Sequence, residues 1–585
     1  MQQTVAGHKR SRLDVDEHLK MSETSSGADE KMSYALHRIS DSTNAYVLAV
    51  SSCVYAQFSA DDITSHHLIW KKVAIEDYLF RKFFVIVSAI EKELHTELVY
   101  KPLDLLEHDY VLAKDCINLN ENTVTILFSS NNINDAIIER IVNEWISSVI
   151  SDEAALYWHC VCDQEYIREQ LVELGAAAFI GNDSILPDIR IMDNNEIVRF
   201  LSPNTLEHTF TKLPYSGSSI SGMLLRKGVT LISGGGYHGK STLLKSIGQG
   251  VLLKRLGSGK EHIVSVSKSC WIRAEDGRFI SSVNCSPFIQ SLPVVSKLDP
   301  IAVTTRQSSG SLSMAAAVVE SIELGCKLFL LDEDTSASNF LIRDSRMRSL
   351  ISHEPIIPYI YRVNALCAEL DISTIAVVGC SGDWFDVMDT TVLLDEYICK
   401  DVTKRALSIS KTFCTGRVEF NGRGLVHKLE WPLAKRDTSP FGVPQRYVNV
   451  DALKEIIMRC SDPEQTSEYL DVTKDGNYIR YSRDAVVIDV TKVETRCSSR
   501  SYLNGILLFI IWLVDQDTQN VPFYDILKIY EDSSGSQEPS VLRKYNSNKV
   551  KCSSDPNDWL YSYQPTLLDV GYCLNRCRFC SYLYK

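Results

Sequence analysis

A strand that must break into glycines and restart as a helix is the tightest constraint on this chain. Val229-Thr230-Leu231-Ile232 is an apolar, β-branched run. Gly234-Gly235-Gly236-Tyr237-His238-Gly239-Lys240-Ser241 follows it, and Thr242-Leu243-Leu244-Lys245 continues in helical register. The glycine run fits G-x-x-x-x-G-K-[ST], the phosphate-binding loop, in the strand–turn–helix setting that pattern requires. Glycine reaches positive φ without a Cβ penalty, so the backbone can wrap close to a phosphate. Amides of the loop and of the helix start then point at the anion. Lys240 neutralises β- and γ-phosphate charge, and the Ser241 hydroxyl can hold magnesium.

The rest of the composition narrows the class. At 585 residues the chain exceeds one small core, and its 45% apolar and 23% charged residues are ordinary for globular protein. A net charge of -13 argues against a generally basic nucleic-acid coat, but leaves a local basic groove open. The 17 cysteines are scattered, which suits reduced core thiols better than a secreted disulfide scaffold. No span reaches the roughly 20 apolar residues of a membrane crossing. The longest candidate, Ile506 to Val514, reads as a buried helix. The N-terminus has no signal-peptide apolar region, and Asp14, Asp16 and Glu17 fit a mitochondrial presequence poorly. His8 to Arg12 reads as solvated tail, with a nuclear address as the other reading. These features lead to the expectation of a soluble, intracellular protein without membrane contact. The cytoplasm is the first choice of compartment; nucleus and mitochondrion stay open.

Along the chain, residues 1–32 are polar and Ser-rich, the composition of a disordered tail. Residues 33–195 carry mixed α/β signals, including Thr123 to Phe128 as a strand and Asn134 to Ile150 as an amphipathic helix. Residues 196–425 alternate strand-like runs at 229–233, 262–267, 328–332 and 374–379 with helical segments, which predicts a largely parallel sheet covered by helices. Residues 426–585 look mainly helical with polar loops. The expected fold class is therefore α/β: a P-loop core flanked by a mixed α/β N-terminal domain and a mainly helical C-terminal one.

Two further elements accompany the phosphate loop. Leu328-Phe329-Leu330-Leu331 is an apolar run that delivers Asp332 to a strand end, where a carboxylate can organise a magnesium shell. Glu333 follows directly, placed to polarise an attacking water as general base. Between loop and strand, Ser308-Ser309-Gly310-Ser311 opens the alanine-rich run from Met314, a helix N-terminus that Gly325 closes. Taken alone, that serine cluster reads as a simple N-cap.

In this order, with Thr335-Ser336-Ala337-Ser338 after the acidic pair, the motifs resemble the ABC-class ATPases. Ile272-Arg273-Ala274-Glu275-Asp276-Gly277-Arg278, Arg343-Asp344-Ser345-Arg346-Met347 and Cys380-Ser381-Gly382-Asp383 resemble more closely the predicted ATPases of the ABC class. That is a soluble group which includes a kinetoplastid mitochondrial RNA-binding ATPase. The resemblance spans roughly 170–425. It implies ATP and Mg2+ as ligands, held by Gly234 through Thr242 with Ser241 and Asp332 on the metal and Glu333 as base. It implies that Ser309, Gly310 and Ser311 reach the γ-phosphate on an opposite subunit, hence a head-to-tail homodimer. Ser336 to Asn339 would cross the interface, and Gln290 is the candidate for the glutamine that senses metal and water. RNA or other nucleic acid is the output one relative suggests, with Arg226-Lys227 and Lys254-Arg255 as local cationic candidates; scattered solvated side chains are the default for these.

Two departures from the ABC pattern stand out. No histidine follows Thr374 to Gly379; Ser381 or Asp383 stands where that imidazole would face the γ-phosphate, so hydrolysis is expected to be slow. Met314 replaces a common glutamine. Apart from them, Arg273, Glu275, Asp276 and Arg278 form a charge cluster whose default is a surface network. Its functional alternative is a family-specific element near the nucleotide or interface. Cys573, Cys577 and Cys580 have an iron–sulfur-like spacing, but so little chain follows that a packed terminal helix is the favoured reading. Cys160 and Cys162 read as strand or core thiols. A nucleotide-gated scaffold with negligible turnover, and a P-loop phosphotransferase, remain as alternatives to an ATP hydrolase.

Overall fold

A computed structural model describes residues 22–24, 32–40, 43–51, 67–101, 109–111, 113–114, 116–120, 123–130, 133–149, 151–190, 197–290, 298–413, 445–461, 470–473, 477–481, 485–491, 499–516, 521–534 and 565–583. The chain divides into two compact units: Met1–Asp62, Tyr78–Lys101 and Cys116–Ser151, then Ile63–Asp77, Pro102–Asp115 and Asp152–Lys585.

In the first unit, β1 (Ser22–Thr24), β2 (Met32–Ser40), β3 (Thr43–Ser51), β4 (Ile117–Asn120) and β5 (Thr123–Ser129) form an antiparallel sheet in the order β1-β2-β3-β5-β4. Within the stretch expected to be disordered, Ser22–Thr24 pairs with β2; most of 1–32 lies outside the described residues. Helix α1 (Leu68–Leu94) contributes Tyr78–Leu94 to this unit, and α2 (Asp135–Ser148) is the amphipathic run read from sequence. Asn134 caps α2 by accepting the Ile137 N–H at 2.9 Å. Phe83 packs edge-on to Trp145 of α2 and lies 5.7 Å from Phe128 of β5, which fastens both helices to the sheet.

The second unit holds the phosphate loop. Helix α3 (Ser151–Glu173) belongs to it from Asp152 onward, so Cys160 and Cys162 are helical and not in a strand as one reading allowed; Cys162 is a core thiol. Strand β6 (Ala176–Gly181) pairs with β10 (Ile220–Arg226) and β12 (Ile263–Ser265), and β10 pairs with β9 (Glu207–Phe210), all antiparallel. The ribbon β7 (Ile185–Arg190) and β8 (Ile197–Arg199) lies between them in sequence. The boundary expected at 195/196 thus falls inside a single sheet. The run 262–267 also belongs here, not to the parallel sheet. Its apolar core is only Ile263 and Val264, too short to specify which sheet it joins.

The main sheet comprises β11 (Val229–Gly234), β13 (Ser269–Ile272), β16 (Leu328–Asp332), β17 (Ser373–Val377), β18 (Thr390–Asp395) and β19 (Ile398–Asp401). Its order is β13-β16-β17-β11-β18-β19, parallel throughout except for the β18–β19 hairpin. β16 and β17 are buried along their whole length, the pattern of strands covered on both faces. Helix α4 (Lys240–Gln249) lays Leu243, Leu244 and Ile247 into a core with Ile232, Leu330, Ile375 and Val377. A separate pair, β14 (Ile280–Val283) and β15 (Val303–Thr305), leads into helix α5 (Gly310–Glu323), which is buried at every position.

Among its described residues the C-terminal stretch is mainly helical: α6 (Asp451–Ser461), α7 (Arg500–Val514), α8 (Phe523–Ser534) and α9 (Leu567–Asn575). A small sheet of Leu470–Val472, Tyr478–Tyr481 and Ala485–Asp489 accompanies them, and Tyr447–Asn449 pairs with Ser581–Leu583. Ser501 to Val514 are all buried, so the longest apolar run is core. No helix among the described residues is long and apolar enough to cross a membrane.

Helix α9 stops at Asn575. Cys577 and Cys580 therefore do not extend the helical face that Cys573 begins, contrary to the packed-helix reading, although all three thiols are buried. At the turn Arg576 reaches back to Glu275: its Nε lies 2.9 Å from Oε2, and Nη2 bonds Oε1. Arg278 pairs with Glu320 of α5 in the same buried layer. Of the charge cluster expected at the surface, Glu275 and Arg278 are thus internal, Arg273 is half-buried and Asp276 is exposed.

Burial alone would raise the Glu275 carboxyl, but Arg576 and then Arg278 outweigh it and hold the group below its usual range. Removing one partner of a buried pair strands the other charge, so Arg576→Ala is expected to cost about 3–5 kcal/mol in urea denaturation. Replacing both groups by apolar residues, Glu275→Leu with Arg576→Met, should cost less than that single change. Because the folded pKa is depressed, Glu275 contributes stability above its unfolded pKa and loses it as pH falls through the folded one. Acid titration of the wild type should show that loss below the ordinary carboxylate range, and Glu275→Gln should remove it.

Candidate functional site

Parallel pairing sets the geometry of the site. β11, β16 and β17 point the same way, so the glycine loop, Asp332–Glu333 and Gly379–Asp383 all emerge at one edge of the sheet. This is the edge where open α/β sheets bind ligands.

The loop runs from Gly234 to the start of α4. Gly234 has φ +147°, and a Cβ there would lie 2.2 Å from the Leu394 carbonyl oxygen. Glycine is needed at this point so that the chain can pass β18. Gly239 takes φ +90° directly before α4 and leaves the helix start without a side-chain cap. Gly235, Gly236 and Ser241 are exposed, Tyr237 is fully exposed with φ +62°, and Thr242 is half-buried. The Lys240 ammonium donates to the Gly235 carbonyl at 2.6 Å, curling over its own loop. His238 Nδ1 accepts the Glu396 N–H at 3.1 Å, which ties the loop to the turn of the β18–β19 hairpin.

Asp332 is buried at the end of β16, where Oδ1 accepts the Asp334 N–H at 3.2 Å and the carbonyl accepts the Ser336 hydroxyl at 2.7 Å. Glu333 is half-buried. Its Oε2 accepts the N–H groups of Gly379 and Cys380 at 2.6 and 2.9 Å, across from the end of β17. Sequence reasoning missed these backbone donors; Ser381 lies one residue further on, half-buried at the start of the Gly382–Asp386 turn. Burial raises the Asp383 carboxyl, against the lowering effect of Arg348.

Ser309 caps α5, its Oγ accepting the Leu312 N–H at 3.4 Å, so the N-cap reading holds geometrically. The helix tip is set in a lattice of short bonds. Gly310 packs so closely that a Cβ would lie 3.2 Å from the Ala274 Cβ and the Asp276 Oδ1. Ser313 Oγ accepts the Glu275 N–H at 2.9 Å, and Gly277 N–H donates to the Ser308 carbonyl at 2.8 Å. Ser311 donates to Asn339 at 2.7 Å, and the Met314 sulfur accepts the Ala337 N–H at 3.2 Å. Met314 thereby contacts the segment after Glu333. Among the described residues, no hydrogen bond joins Ser309–Ser311 to Gly234–Thr242.

The remaining candidates stand apart. Gln290 is exposed, with its N–H on the Pro355 carbonyl. Lys227 pairs with Asp371 at 2.8 Å, Arg226 donates to the Leu174 carbonyl, and Arg255 pairs with Asp109 at 3.0 Å. Lys254 is buried on the carbonyls of Gln249 and Leu252. These cations are occupied within the fold. No group of three or more metal-ligating side chains is assembled among the described residues, Cys573, Cys577 and Cys580 included.

Comparison with known proteins bears on the same region. Residues 151–428 match the family ABC_ATPase, described as a P-loop domain. An uncharacterized protein of Methanocaldococcus jannaschii is 33% identical over 192 residues, 31% of this chain. The match spans only 42% of that relative's length. Among solved structures, a metal-chelate type ABC transporter in an inward-facing conformation is 14% identical, covering 42% of this chain and 94% of that one with a TM-score of 0.24. A dimeric ATP-binding cassette in a post-hydrolysis state with ADP and Pi is 13% identical, covering 38% and 96% with a TM-score of 0.22. Strand, glycine loop, acidic strand end and capped helix thus stand in one α/β unit, within the residues 151–428 that match the P-loop domain of the ABC_ATPase family.

Proposed function

We propose that this chain binds Mg-ATP on Gly234–Thr242 and hydrolyses it between two copies arranged head to tail. The observation that carries the reading is the shared sheet edge: the glycine loop leaves β11, and Asp332 and Glu333 leave β16, with only β17 between them. In this reading Lys240 exchanges the Gly235 carbonyl for β- and γ-phosphate oxygens, and the uncapped start of α4 faces the same charge. Ser241 and Asp332 offer hydroxyl and carboxylate oxygens, the hard donors that suit magnesium, and would hold it. When bound, the ion neutralises charge on the β- and γ-oxygens.

Glu333 would take the proton of the attacking water. One of its oxygens is anchored on the Gly379 and Cys380 amides, which orients the carboxylate without an imidazole. Ser309, Gly310 and Ser311 would cover the γ-phosphate of the other copy, because within one chain they make no bond to the loop. Ser381 and Gln290 would act, if on the nucleotide, through the neighbouring backbone and water.

The anchoring of Glu333 also favours a second reading, a nucleotide-gated scaffold that turns over negligibly. Phosphate release separates the two. Glu333→Gln should keep ATP binding and lower the release rate by roughly 10²–10⁴-fold, the worth of a positioned base. Equal, slow release from wild type and variant would favour the scaffold. Lys240→Ala should abolish nucleotide binding in equilibrium titration; retained affinity would remove both readings.

A further inference from the structure

An open cleft of about 730 Å³ lies beside the tip of α5, lined by Gly277, Thr305, Arg306, Gln307 and Arg578. Its narrower extension is lined by Glu275, Asp276, Arg278, Asp489 and Arg576. Arg306 and Arg578 are exposed, and among the described residues neither forms an ion pair with a carboxylate. The other arginines of this region are neutralised: Arg576 by Glu275, Arg278 by Glu320 and Arg446 by Glu323. Two unmatched guanidinium groups on one cleft suit a phosphate-bearing ligand, which the planar fork can grip with paired bonds.

The position says where that ligand comes from. Arg306 precedes Ser309 by three residues, and Gly277, which lines the cleft, donates to the Ser308 carbonyl at 2.8 Å, so cleft and helix tip are continuous. The chain's own phosphate loop follows β11, three strands across the sheet from β13, or about 14 Å at about 4.8 Å per strand. Among the described residues no hydrogen bond joins the cleft lining to that loop.

We propose that Arg306 and Arg578 grip the polyphosphate of a nucleotide held on the phosphate loop of a second copy. The inference rests on the head-to-tail reading and adds two residues to it. One of them comes from the C-terminal segment, which the Arg576–Glu275 pair holds against the helix tip. The nucleotide sandwich is therefore completed by a part of the chain outside the P-loop domain.

The test uses the full chain carrying Glu333→Gln with Mg-ATP, and reads dimerisation by sedimentation velocity. Adding Arg306→Ala and Arg578→Ala should leave the affinity of the monomer for a fluorescent ATP analogue within twofold. The dissociation constant of the ATP-driven dimer should rise about tenfold or more, the scale of lost charge-assisted bonds. Mixing this variant with Lys240→Ala should restore dimers that neither forms alone, since one copy supplies an intact loop and the other an intact cleft. Arg306→Lys with Arg578→Lys keeps stem and charge and should fall between. Unchanged dimerisation of the alanine variant, or a mixture that restores nothing, would overturn the inference and leave the head-to-tail reading standing. Loss of nucleotide binding by the monomer would overturn it too, by showing action within one copy. Failure of the Glu333→Gln chain itself to dimerise with ATP would remove both.

Discussion

A carboxylate sealed from water is tolerated only when its charge is matched, and the match made for Glu275 organises the region around α5. Arg576 and Arg278 supply the neutralising charge, the former from a position 301 residues away in sequence. Because the ion pair fixes Glu275, it fixes the turn from Ala274 to Arg278. That turn in turn holds three pieces: Thr335 through the Ala274 N–H, Ser313 through the Glu275 N–H, and Ser308 through the Gly277 N–H. The tip of α5 and the segment after Glu333 are thus positioned relative to each other by a salt bridge neither contains.

The second constraint is strand order. With β17 between β11 and β16, the glycine loop and the acidic pair are two strand spacings apart, roughly 10 Å, enough for a phosphate chain to lie between them. The same arrangement puts the exit of β17 directly beside Glu333. A backbone leaving a parallel strand has amides with no ladder partner, and Gly379 and Cys380 spend theirs on the carboxylate. Nothing in the local sequence Val378-Gly379-Cys380 specifies that contact; it follows from β17 pairing with β16 in register.

What could be read beforehand was local. The strand-to-glycine-to-helix transition at 229–245, the apolar run ending in Asp332, the serine cap at Ser309 and the buried helix around Ile506 to Val514 are each written in a short window. What escaped depended on distant partners. Ile263–Ser265 looked like a parallel strand because two apolar, β-branched residues carry no information about which sheet accepts them. Glu275 and Arg278 looked like surface charges because their neutralising groups, Arg576 and Glu320, lie far along the chain. The C-terminal motif carries both Arg576, buried on Glu275, and Arg578, exposed, and its local sequence does not say which of the two needs a buried counter-charge.

An aromatic cluster centred on Tyr359 packs against β17. Tyr359 packs against Phe288, Phe340 and Trp384, and its hydroxyl bonds Thr374 in β17 at 2.7 Å. Phe340 follows the segment from Ser336 to Asn339, and Trp384 follows the Gly379–Cys380 amides. The two backbones that flank Glu333 therefore rest on one aromatic cluster. A cluster of interlocked rings resists small displacements because each shift opens a void against several neighbours. Glu333 can leave its amides by rotation about its own side-chain torsions, with the backbone at the β17 exit unmoved. The Glu333 carboxylate is thus oriented by main-chain amides, in a chain that has no histidine directly after β17.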